Sequence, residues 1–468
     1  MIDGLRSYAE TKPSGLSWLG DMPSHWDVLR SKYAFREVDS RSTTGQETHL
    51  SMSQRLGLVP ANQVEKSLVS ESYVGAKLVE KDDLVLNRLK AHLGVFAYAK
   101  QLGLISPDYT VLRPMPFANV RFFEYVLKSP ACRAELRTRA KGIVEGFWRL
   151  YTDDFYDIRL PIPPLDEQRL IVRFLDWHGG QTAKLIHVKK KIIALLNEQK
   201  QAIIHRAVTR GLDPNVRLKP SGIPWLGDVP EGWEVLPLKR IASFKSGAGF
   251  PVGEQGGKDL EIPFLKVSDM TLAGNERYIE TWNNSISRET AMSLGAYIFP
   301  PNTIIFPKVG GAMLTNKRRI LKQESCIDNN VMGCIVRSGI LQYIFLTLQQ
   351  IDLGKISKPG PVPAIGEGEV REIRVALPPI EDQRKILKWL GCETHSLDQG
   401  VRIASCEIAL IQEFRTRLIA DVVTGKLDVR AAAASLPDTA EPEPLDDPVE
   451  GDDLDEALDD AENEEVAA

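Results

Sequence analysis

The sequence predicts an α+β fold in which two pseudo-symmetric β-rich domains alternate with two long helices. A helix-start motif occurs twice, as Pro-Pro-Leu-Asp-Glu-Gln-Arg at 163–169 and Pro-Pro-Ile-Glu-Asp-Gln-Arg at 378–384. An opening motif, Lys-Pro-Ser-Gly-x-x-Trp-Leu-Gly-Asp-x-Pro, occurs at 12–23 and again at 219–230. Short apolar runs bounded by Gly, Pro, Asn and Asp, which are typical of strands, lie between each opening and its helix start. The sequence is therefore an internal duplication.

The two opening motifs predict an irregular loop in each copy. They are rich in Pro and Gly, and the matched segments Trp-Asp-Val-Leu at 26–29 and Trp-Glu-Val-Leu at 233–236 follow them. Such a composition favours a turn-rich loop held by buried indole rings. We therefore assign the openings a role in folding rather than in ligand binding.

Each helix-start motif predicts a helix that begins near Asp166 or Glu381. Prolines fit a first helical turn because its amide hydrogens have no intrahelical partners, and the acids favour the positive end of the helix dipole. The helices are expected to run to about Arg210 and Thr424. We expect Gly179 and Gly180 to break the first into a short and a long segment, since glycine has low helix propensity.

Both helices carry an apolar stripe at alternating three- and four-residue steps, broken in the second copy by Arg415. Such a stripe is typical of a coiled-coil seam. Pairing the two helices with each other as an antiparallel coiled coil is the simplest way to bury both stripes. The candidate pairing residues are Ile186, Ile193, Leu196 and Ile203 in the first helix, and Val401, Ile408, Ile411, Leu418 and Val422 in the second.

The segments between openings and helices differ between the copies. Predicted strands cover 84–86, 95–98, 109–112, 297–299, 303–306 and 334–336, and amphipathic helices are predicted at 121–129 and 341–350. The 83–88 and 303–308 segments still align, which places Arg88 and Lys308 just after equivalent strands. The predicted organisation is a first domain at 1–165, a helical segment at 166–213, a second domain at 214–378, a helical segment at 379–430 and a tail at 431–468.

Charge is distributed unevenly along the chain. Residues 438–468 contain 15 Asp and Glu and no Lys or Arg, so residues 1–437 hold 58 basic against 48 acidic residues, a net charge of +10. The tail has little to bury and is expected to be disordered. It is either a solubilising appendage or an electrostatic mimic that competes with nucleic acid for the basic body.

The remaining composition favours a cytoplasmic protein. Residues 1–12 contain no run of signal-peptide length, and no stretch is apolar enough to span a membrane. Five cysteines without a Cys-x-x-Cys pair indicate neither a disulfide framework nor a structural zinc site.

The doubled helix starts and doubled openings, in this order, resemble the specificity subunit of type I restriction-modification systems over about residues 12–428. The resemblance implies two target recognition domains, each binding half of a bipartite double-stranded DNA target. It also implies conserved helices that pair antiparallel, fix the gap between half-sites and dock two modification subunits, which methylate adenine. Restriction subunits for ATP-driven translocation and cleavage are the further expected partners. The acidic tail departs from the family's usual pattern.

DNA recognition requires cations for phosphates and amide or guanidinium groups for base edges. In the second domain, glycines that permit close backbone approach stand beside such side chains. Candidate DNA-binding residues in the first domain are Arg88, Lys90, His92, Lys141 and Arg149. Those in the second are Lys308, Asn316, Lys317, Arg318, Arg319, Asn329, Asn330, Lys355 and Lys358. For any one of them, a solvated basic surface is the alternative.

A catalytic function lacks its motifs. The sequence contains no Gly-x-Gly-x-x-Gly, no phosphate-binding Gly-x-x-x-x-Gly-Lys-(Ser/Thr) and no (Asp/Asn)-Pro-Pro-(Phe/Tyr) motif of an adenine methyltransferase. We therefore expect a non-catalytic chain with no cofactor or metal of its own, with S-adenosylmethionine, ATP and Mg²⁺ on partner subunits. The alternatives are a self-sufficient DNA-modifying enzyme and a coiled-coil scaffold that does not bind DNA. The basic body and the divergence of the two domains disfavour the scaffold.

Overall fold

The computed structural model describes residues 5–53, 57–63, 73–142, 148–357 and 362–437, without the side chains of Ser53 and His92. The acidic segment 438–468, for which disorder is expected, lies outside the described residues. The chain divides into two compact units. The first unit comprises Met1–Lys191 and Ala404–Ala468, and the second comprises Ile192–Ile403.

The first domain, within the first unit, contains twelve short strands and four short helices among its described residues. The strands are β1 (Thr11–Pro13), β2 (Asp21–Pro23), β3 (Asp27–Arg30), β4 (Phe35–Val38), β5 (Leu50–Ser53), β6 (Gly57–Pro60), β7 (Lys77–Val79), β8 (Leu84–Asn87), β9 (Phe96–Tyr98), β10 (Gly103–Ile105), β11 (Tyr109–Pro114) and β12 (Arg159–Ile162). The helices are α1 (Ser31–Ala34), α2 (Val120–Lys128), α3 (Pro130–Arg139) and α4 (Thr152–Tyr156), and the domain leads into α5 (Leu165–Arg210).

The second domain, within the second unit, contains twelve short strands and five short helices among its described residues. Its strands are β13 (Leu218–Pro220), β14 (Asp228–Pro230), β15 (Glu234–Pro237), β16 (Ala242–Ser246), β17 (Ile262–Leu265), β18 (Tyr278–Ile279), β19 (Ser285–Ile286), β20 (Ile304–Pro307), β21 (Arg319–Leu321), β22 (Cys326–Ile327), β23 (Val331–Val336) and β24 (Arg374–Leu377). Its helices are α6 (Arg288–Ser293), α7 (Gly311–Leu314), α8 (Leu341–Gln349), α9 (Leu353–Ile356) and α10 (Glu367–Glu372), followed by α11 (Ile380–Glu393), α12 (His395–Val423) and α13 (Arg430–Ser435).

Each domain is built on one main sheet. The first has the order β4-β11-β8-β9 and the second β16-β23-β20-β21-β18. The first four strands of each order are antiparallel, and only β18 joins β21 in parallel. The equivalent pairs β12-β3 and β24-β15 lie directly before the long helices. The internal duplication in the sequence is therefore matched by a shared four-strand order in the main sheets of the two domains.

The strand predictions are confirmed except for 297–299. There only Phe299 forms an isolated bridge, to Ser325, and Tyr297 and Ile298 stay outside the strands. Phe299 is fully buried. Its ring is 4.8 Å from that of Tyr297, in an edge-to-face arrangement. The apolar run therefore reflects side-chain packing rather than sheet pairing.

The opening motifs fold alike in both domains. The amide of Ser14 donates to the carbonyl of Gly20 at 3.0 Å, and Ser221 donates to Gly227 at 3.2 Å. Gly20 has φ +72° and Gly227 has φ +64°, a left-handed conformation that only glycine adopts without strain. The following Trp26 and Trp233 are both buried, as the sequence predicts. The prediction of an irregular loop is therefore wrong in part, because each opening is a short antiparallel hairpin, β1 with β2 and β13 with β14, closed by this turn and followed by a buried indole.

The glutamine of each helix-start motif joins the helix to its domain. Gln168 is fully buried; its Oε1 accepts from the Asn119 amide at 2.8 Å, and its Nε2 donates to the Pro163 carbonyl at 2.8 Å. Gln383 does the same with the Ile340 amide and the Pro378 carbonyl, each at 2.8 Å. Asn119 and Ile340 are the N-caps of α2 and α8. In each domain, one glutamine side chain therefore bonds the backbone amide of an N-cap residue and the backbone carbonyl of the first proline of the helix-start motif.

In the first unit the motif's acidic residue is a second anchor. Glu167 is 5% exposed. Its Oε1 accepts from the Tyr8 hydroxyl at 2.6 Å and from Trp26 Nε1 at 3.1 Å, and its Oε2 is 2.7 Å from His25 Nε2. The N-terminal segment and the opening motif are thereby bonded to the first turn of α5.

The predicted helix starts are confirmed, but the predicted break at Gly179 and Gly180 is wrong. α5 continues for 46 residues through both glycines. A glycine costs about 1 kcal/mol of helix propensity relative to alanine. Apolar side chains anchor α5 on both sides of the pair, since Phe174 and Leu175 are buried before it and Ile204, Ala207 and Val208 after it. In the second copy α11 and α12 are separated by one residue, Thr394, which keeps a right-handed helical conformation.

All of the predicted stripe residues are at least half-buried. Leu418 and Val422 are buried and the other predicted stripe residues are half-buried, whereas Leu195 is 54% and Leu410 58% exposed. In the first unit Lys189 pairs with Glu407 at 2.7 Å, and Ile171 shares a core with Val422. In the second unit Lys200 pairs with Asp398, and Ile204 shares a core with Leu390. Within each unit, the helical segments therefore run in opposite directions.

The expected disordered tail begins too early at residue 431. Residues 430–435 form α13, and Val429 and Ala433 are fully buried in the core of the first unit. Alanine has the highest helix propensity and a side chain small enough to pack closely, so an Ala-rich segment can dock with few other apolar residues. Among the described residues, no helix combines the length and apolar character needed to cross a membrane.

We predict that Gln383→Leu and Gln168→Leu each lower the free energy of unfolding by about 2–4 kcal/mol. Leucine leaves a buried amide and a buried carbonyl without partners, and each such group costs roughly 1–3 kcal/mol. Urea unfolding of the single variants measures the loss. Gln412→Leu, at an exposed position of α12, is the matched control and should change stability by less than about 0.5 kcal/mol. Equal effects at all three positions would contradict an anchoring role.

Candidate nucleic-acid interface

One edge of the second domain's sheet gathers most of that domain's predicted site residues. β20 runs antiparallel to β21 and β23, with Ile305 opposite Arg319 and Pro307 opposite Val331. The end of β20 therefore lies beside the starts of β21 and β23. This places three loops together: Lys308 after β20, 316–318 before β21, and 329–330 before β23. We call this set the β20 edge.

Lys308 is held firmly at the β20 edge. Its amide donates to the Asn330 carbonyl at 2.9 Å, and its carbonyl accepts from the Ile365 amide at 2.9 Å. Its half-buried side chain extends to Ser246, where Nζ donates to Oγ at 2.9 Å. The ammonium group therefore has a defined position at the ends of β20 and β16, the two strands that flank β23 in the sheet.

The structure contradicts Arg318 as a DNA contact. The residue is 1% exposed, and its guanidinium carbon lies 5.0 Å from the centre of the Phe306 ring. Its Nη2 donates to Asn316 Oδ1 at 2.9 Å and to the Ile351 carbonyl at 3.2 Å. Burial lowers its pKa to about 10. Arg318 is a structural residue whose donors are already used inside the domain.

The neighbours of Arg318 differ in accessibility. Asn316 is half-buried in a left-handed conformation (φ +55°); its Oδ1 accepts from Arg318 and its Nδ2 donates to the Gln349 carbonyl at 3.1 Å, so it supports the loop. Arg319 is half-buried and its pKa is lowered by burial; its Nη1 donates to the Arg318 carbonyl, and its buried Nε has no hydrogen-bond partner among the described residues.

The accessible groups at or near the β20 edge are Lys317, Asn329, Asn330 and Lys355. Lys317 is half-buried, and the two asparagines are exposed. Lys355 lies in α9, which packs against α7. Its side chain is 85% exposed, and its Nζ is 3.5 Å from the Asp352 carboxylate. Lys358 lies outside the described residues. The surface therefore combines positive charge with amide groups.

The first domain has an equivalent edge at the end of β8. The Arg88 carbonyl accepts from the Leu150 amide at 2.9 Å, as the Lys308 carbonyl does from Ile365. The predicted alignment of Arg88 with Lys308 is thus matched by backbone bonding. The Arg88 side chain, however, is directed to the start of β11, since Nε donates to the Asp108 carbonyl at 2.7 Å.

The remaining first-domain candidates are partly engaged within the protein. Lys141 and Arg149 face each other in an isolated β-bridge beside Leu150, and Lys141 Nζ is 2.6 Å from Asp154. Arg149 is half-buried, as is Lys90, whose amide donates to Asn87 Oδ1. The side chain of His92 lies outside the described residues. Arg88, Lys141 and Arg149 are therefore brought together, as Lys308 and its neighbours are.

Sequence reasoning missed two residues that hold the β20 edge. Ser246 orients Lys308, and its own amide donates to Glu367 Oε1 at 2.8 Å. Glu367 lies in the first turn of α10 and is more than 100 residues away along the chain. Neither residue belongs to a motif. The register of β16 with β23 brings Ser246 to the site, opposite Met332, and the packing of α10 against β16 brings Glu367 there.

The side chains gathered at these two edges are of the kinds that bind nucleic acid. Lysine, arginine and asparagine side chains can contact phosphates and base edges. The described part of the chain has no group of three or more His, Cys, Asp or Glu side chains placed to share a metal ion.

We predict that Arg318→Ala lowers the free energy of unfolding by roughly 3 kcal/mol, because it empties a buried volume and leaves buried acceptors unpaired. Arg318→Met should recover part of the loss, since it restores packing on Phe306 but not the hydrogen bonds. Lys317→Ala, one residue away and accessible, should change stability by less than about 0.5 kcal/mol. Denaturant unfolding measures all three. A stable Arg318→Ala protein would show that the buried placement is wrong.

The chain is similar in sequence to known proteins of one family. The sequence model of the family described as "Type I restriction modification DNA specificity domain" matches residues 53–195 and 230–392. The specificity subunit of the type I restriction enzyme MjaVIII of Methanocaldococcus jannaschii is 25% identical over 366 residues, covering 75% of this chain and 81% of that protein. The putative type I restriction enzyme MjaX specificity subunit of the same organism is 23% identical over 461 residues, covering 88% and 96%.

A solved structure shares the fold. It comes from work described as the structural basis of complex assembly and conformational transition of the type I R-M system. The match has a TM-score of 0.57 at 15% identity and covers 86% of this chain and 98% of that one. The fold of this chain therefore occurs in a solved structure.

Proposed function

We propose, since this chain belongs to the family of type I restriction-modification DNA specificity subunits, that its two recognition domains each bind one half of a bipartite double-stranded DNA target. The observation that carries the proposal is the pair of equivalent sheet edges on one repeated frame. Arg88 and Lys308 occupy the same backbone position, yet the residues around them differ. A duplicated frame with different side chains at its edge suits two different half-sites.

Within the second domain, the β20 edge is the proposed reading surface. Lys308, Lys317 and Lys355 supply charge for phosphates, while Asn329 and Asn330 supply donor and acceptor groups of the kind that read adenine. In the first domain, Arg88, Lys90, Lys141 and Arg149 are the corresponding candidates. Arg318 and Asn316 are excluded from direct contact, because their polar groups support the loop.

The paired helices are the proposed spacer that sets the gap between the half-sites. Two contacts support an antiparallel pairing, Lys189 with Glu407 in the first unit and Lys200 with Asp398 in the second. A helix rises about 1.5 Å per residue and DNA about 3.4 Å per base pair, so helix length converts directly into gap length.

The helices are also the proposed docking surface for two modification subunits. Apolar residues outside the stripe are exposed on both helices, and exposed apolar surface on a folded protein commonly marks an interface. They are Leu185, Val188, Leu410 and Phe414 in the first unit, and Ile192, Leu195 and Ile403 in the second.

We assign this chain a non-catalytic role in recognition. In the proposed complex the modification subunits bind S-adenosylmethionine and methylate adenine, and the restriction subunits use ATP and Mg²⁺ for translocation and cleavage. This chain would bind none of these cofactors itself. Its contribution is to bring the modification subunits to one DNA sequence.

Selection from a random DNA pool, with this chain bound to its modification subunits, should recover two short motifs separated by a constant gap. A single contiguous motif would contradict bipartite recognition.

Lengthening both α5 and α12 by seven residues adds roughly 10 Å and should widen the gap by about three base pairs, with both half-sites unchanged. Replacing seven residues in each helix without changing its length is the control. An unchanged gap in the lengthened protein would rule out the spacer.

We predict that Lys317→Ala weakens DNA binding and reduces the slope of log affinity against log salt by about 1, because one phosphate contact is lost. Fluorescence anisotropy of the complex over a salt series measures both quantities. Lys322→Ala is the matched control, since Lys322 follows the opposite end of β21 and pairs with Glu280. A loss of the same size at Lys322 would place DNA away from the β20 edge.

A further inference from the structure

A cleft with a volume of about 330 Å³ lies in the first unit between α2, α3, strands β6 and β9, and α12. We call it the α2–α12 cleft. It is distinct from the β8 edge, and the proposed function uses none of its residues. Its lining combines aromatic and aliphatic surface, including Tyr98, Tyr125 and Ile419, with charged side chains.

The α2–α12 cleft carries more positive than negative charge. Arg121 bonds Glu124 at 2.6 Å and Asp176 at 2.9 Å, and Lys128 bonds Glu124 at 2.7 Å. The Tyr125 hydroxyl donates to Asp176 at 2.6 Å, which completes a satisfied network at the cleft wall. Two of the cleft's cations are therefore neutralised inside the protein.

Three further cations line the α2–α12 cleft without an acidic partner among the residues that the structure describes: Lys100, Arg133 and Arg415. Lys100 and Arg415 are exposed and Arg133 is half-buried. Their side chains come from the loop after β9, from α3 and from α12, so the excess charge is a property of the cleft and not of one helix face. The cleft is thus suited to an anionic ligand that also offers small apolar groups.

Arg415 is the residue that interrupts the apolar stripe of α12. A charged residue at a seam position sacrifices apolar burial between helices. In the structure Arg415 instead lines the α2–α12 cleft, so the interrupted position of the stripe contributes positive charge to the cleft. One turn on, Leu418 and Val422 resume the stripe and are buried.

The described chain ends close to this cleft. The Leu436 carbonyl accepts a hydrogen bond from the Arg173 guanidinium. Arg173 and Asp176 are three residues apart on α5 and hence neighbours on one helix face. Asp176 in turn bonds Arg121, which lines the cleft. A segment continuing beyond Pro437 therefore starts near the cleft.

The following 31 residues, 438–468, contain 15 Asp and Glu and no Lys or Arg, with Ala, Pro and Leu between them. Fully extended, they could reach about 100 Å, so length does not limit docking. Tethering within one chain raises the effective concentration of such a segment to the millimolar range. The charge, the attachment point and the length of this segment are thus all compatible with binding in the α2–α12 cleft.

We propose that the α2–α12 cleft binds the acidic segment 438–468 of the same chain, through ion pairs of its carboxylates with Lys100, Arg133 and Arg415. The tail then acts as an internal anion that occupies a basic site when no DNA is present. The alternative occupants, the DNA backbone or an acidic surface of a partner subunit, are distinguished by the test.

Zero-length carbodiimide cross-linking of the full chain, without DNA, tests the proposal. The reagent joins carboxylates to lysine amines that they contact, and mass spectrometry locates the bonds. Tail carboxylates should couple to Lys100 and Lys128 at least fivefold more than to Lys385 and Lys388, two exposed lysines of α11. A mixture of isotope-labelled and unlabelled chain identifies the bonds within one chain. In 1 M salt the preference should disappear.

The variant Arg133→Glu/Arg415→Glu should reduce coupling to Lys100 and Lys128 at least fivefold, while Lys322→Glu leaves it unchanged. If the double variant does not fold, Arg415→Gln at its exposed position should still halve the coupling. Coupling spread evenly over lysines, coupling only between chains, or coupling insensitive to Arg415 would overturn the proposal. An uncoupled tail in the free chain would overturn it in favour of DNA or a partner subunit. DNA is absent, so no result bears on bipartite recognition.

Discussion

Gln168 and Gln383 stand where the long helical segments leave the two β-rich domains, and each amide bonds a domain helix cap and a proline carbonyl at once. A carboxylate could not donate to the carbonyl, and an apolar side chain could do neither. Because both partners are backbone groups, the bond fixes the helix start relative to the domain whatever side chains the domain presents elsewhere. The long helical segment therefore begins with the same pair of glutamine hydrogen bonds in both domains.

The elements that the two domains share, which we call the frame, are separate from the loops at the ends of β8 and β20. This separation explains how one duplicated sequence can carry two different edges. The opening turns, the β12-β3 and β24-β15 pairs and the glutamine joints are alike in both domains. The edges after β8 and β20 share a backbone bond but differ in side chains. In the first unit Glu167 adds bonds to Tyr8 and Trp26, so the frame itself tolerates additions that do not disturb the joint.

At the β20 edge, packing divides a run of polar residues into two roles. Asn316 and Arg318 turn inward and bond each other and the end of α8, whereas Lys317 between them stays accessible. A buried guanidinium is costly to desolvate and persists only when its donors are bonded. The inward residues thus give the loop a single conformation, and a defined loop can present its accessible groups at fixed positions.

The sequence by itself determined the repeat, the helix starts, most strands, the apolar stripes and the family resemblance, because each depends on local patterns or on self-similarity. Tertiary structure alone decided that Arg318 is buried, that Ser246 and Glu367 support Lys308, that α5 passes through Gly179 and Gly180, and that α13 extends the fold beyond residue 430. The physical reason is common to all four. Burial and hydrogen bonding depend on residues such as Ile351, Phe174 and Tyr8, which come close only when distant parts of the chain pack together.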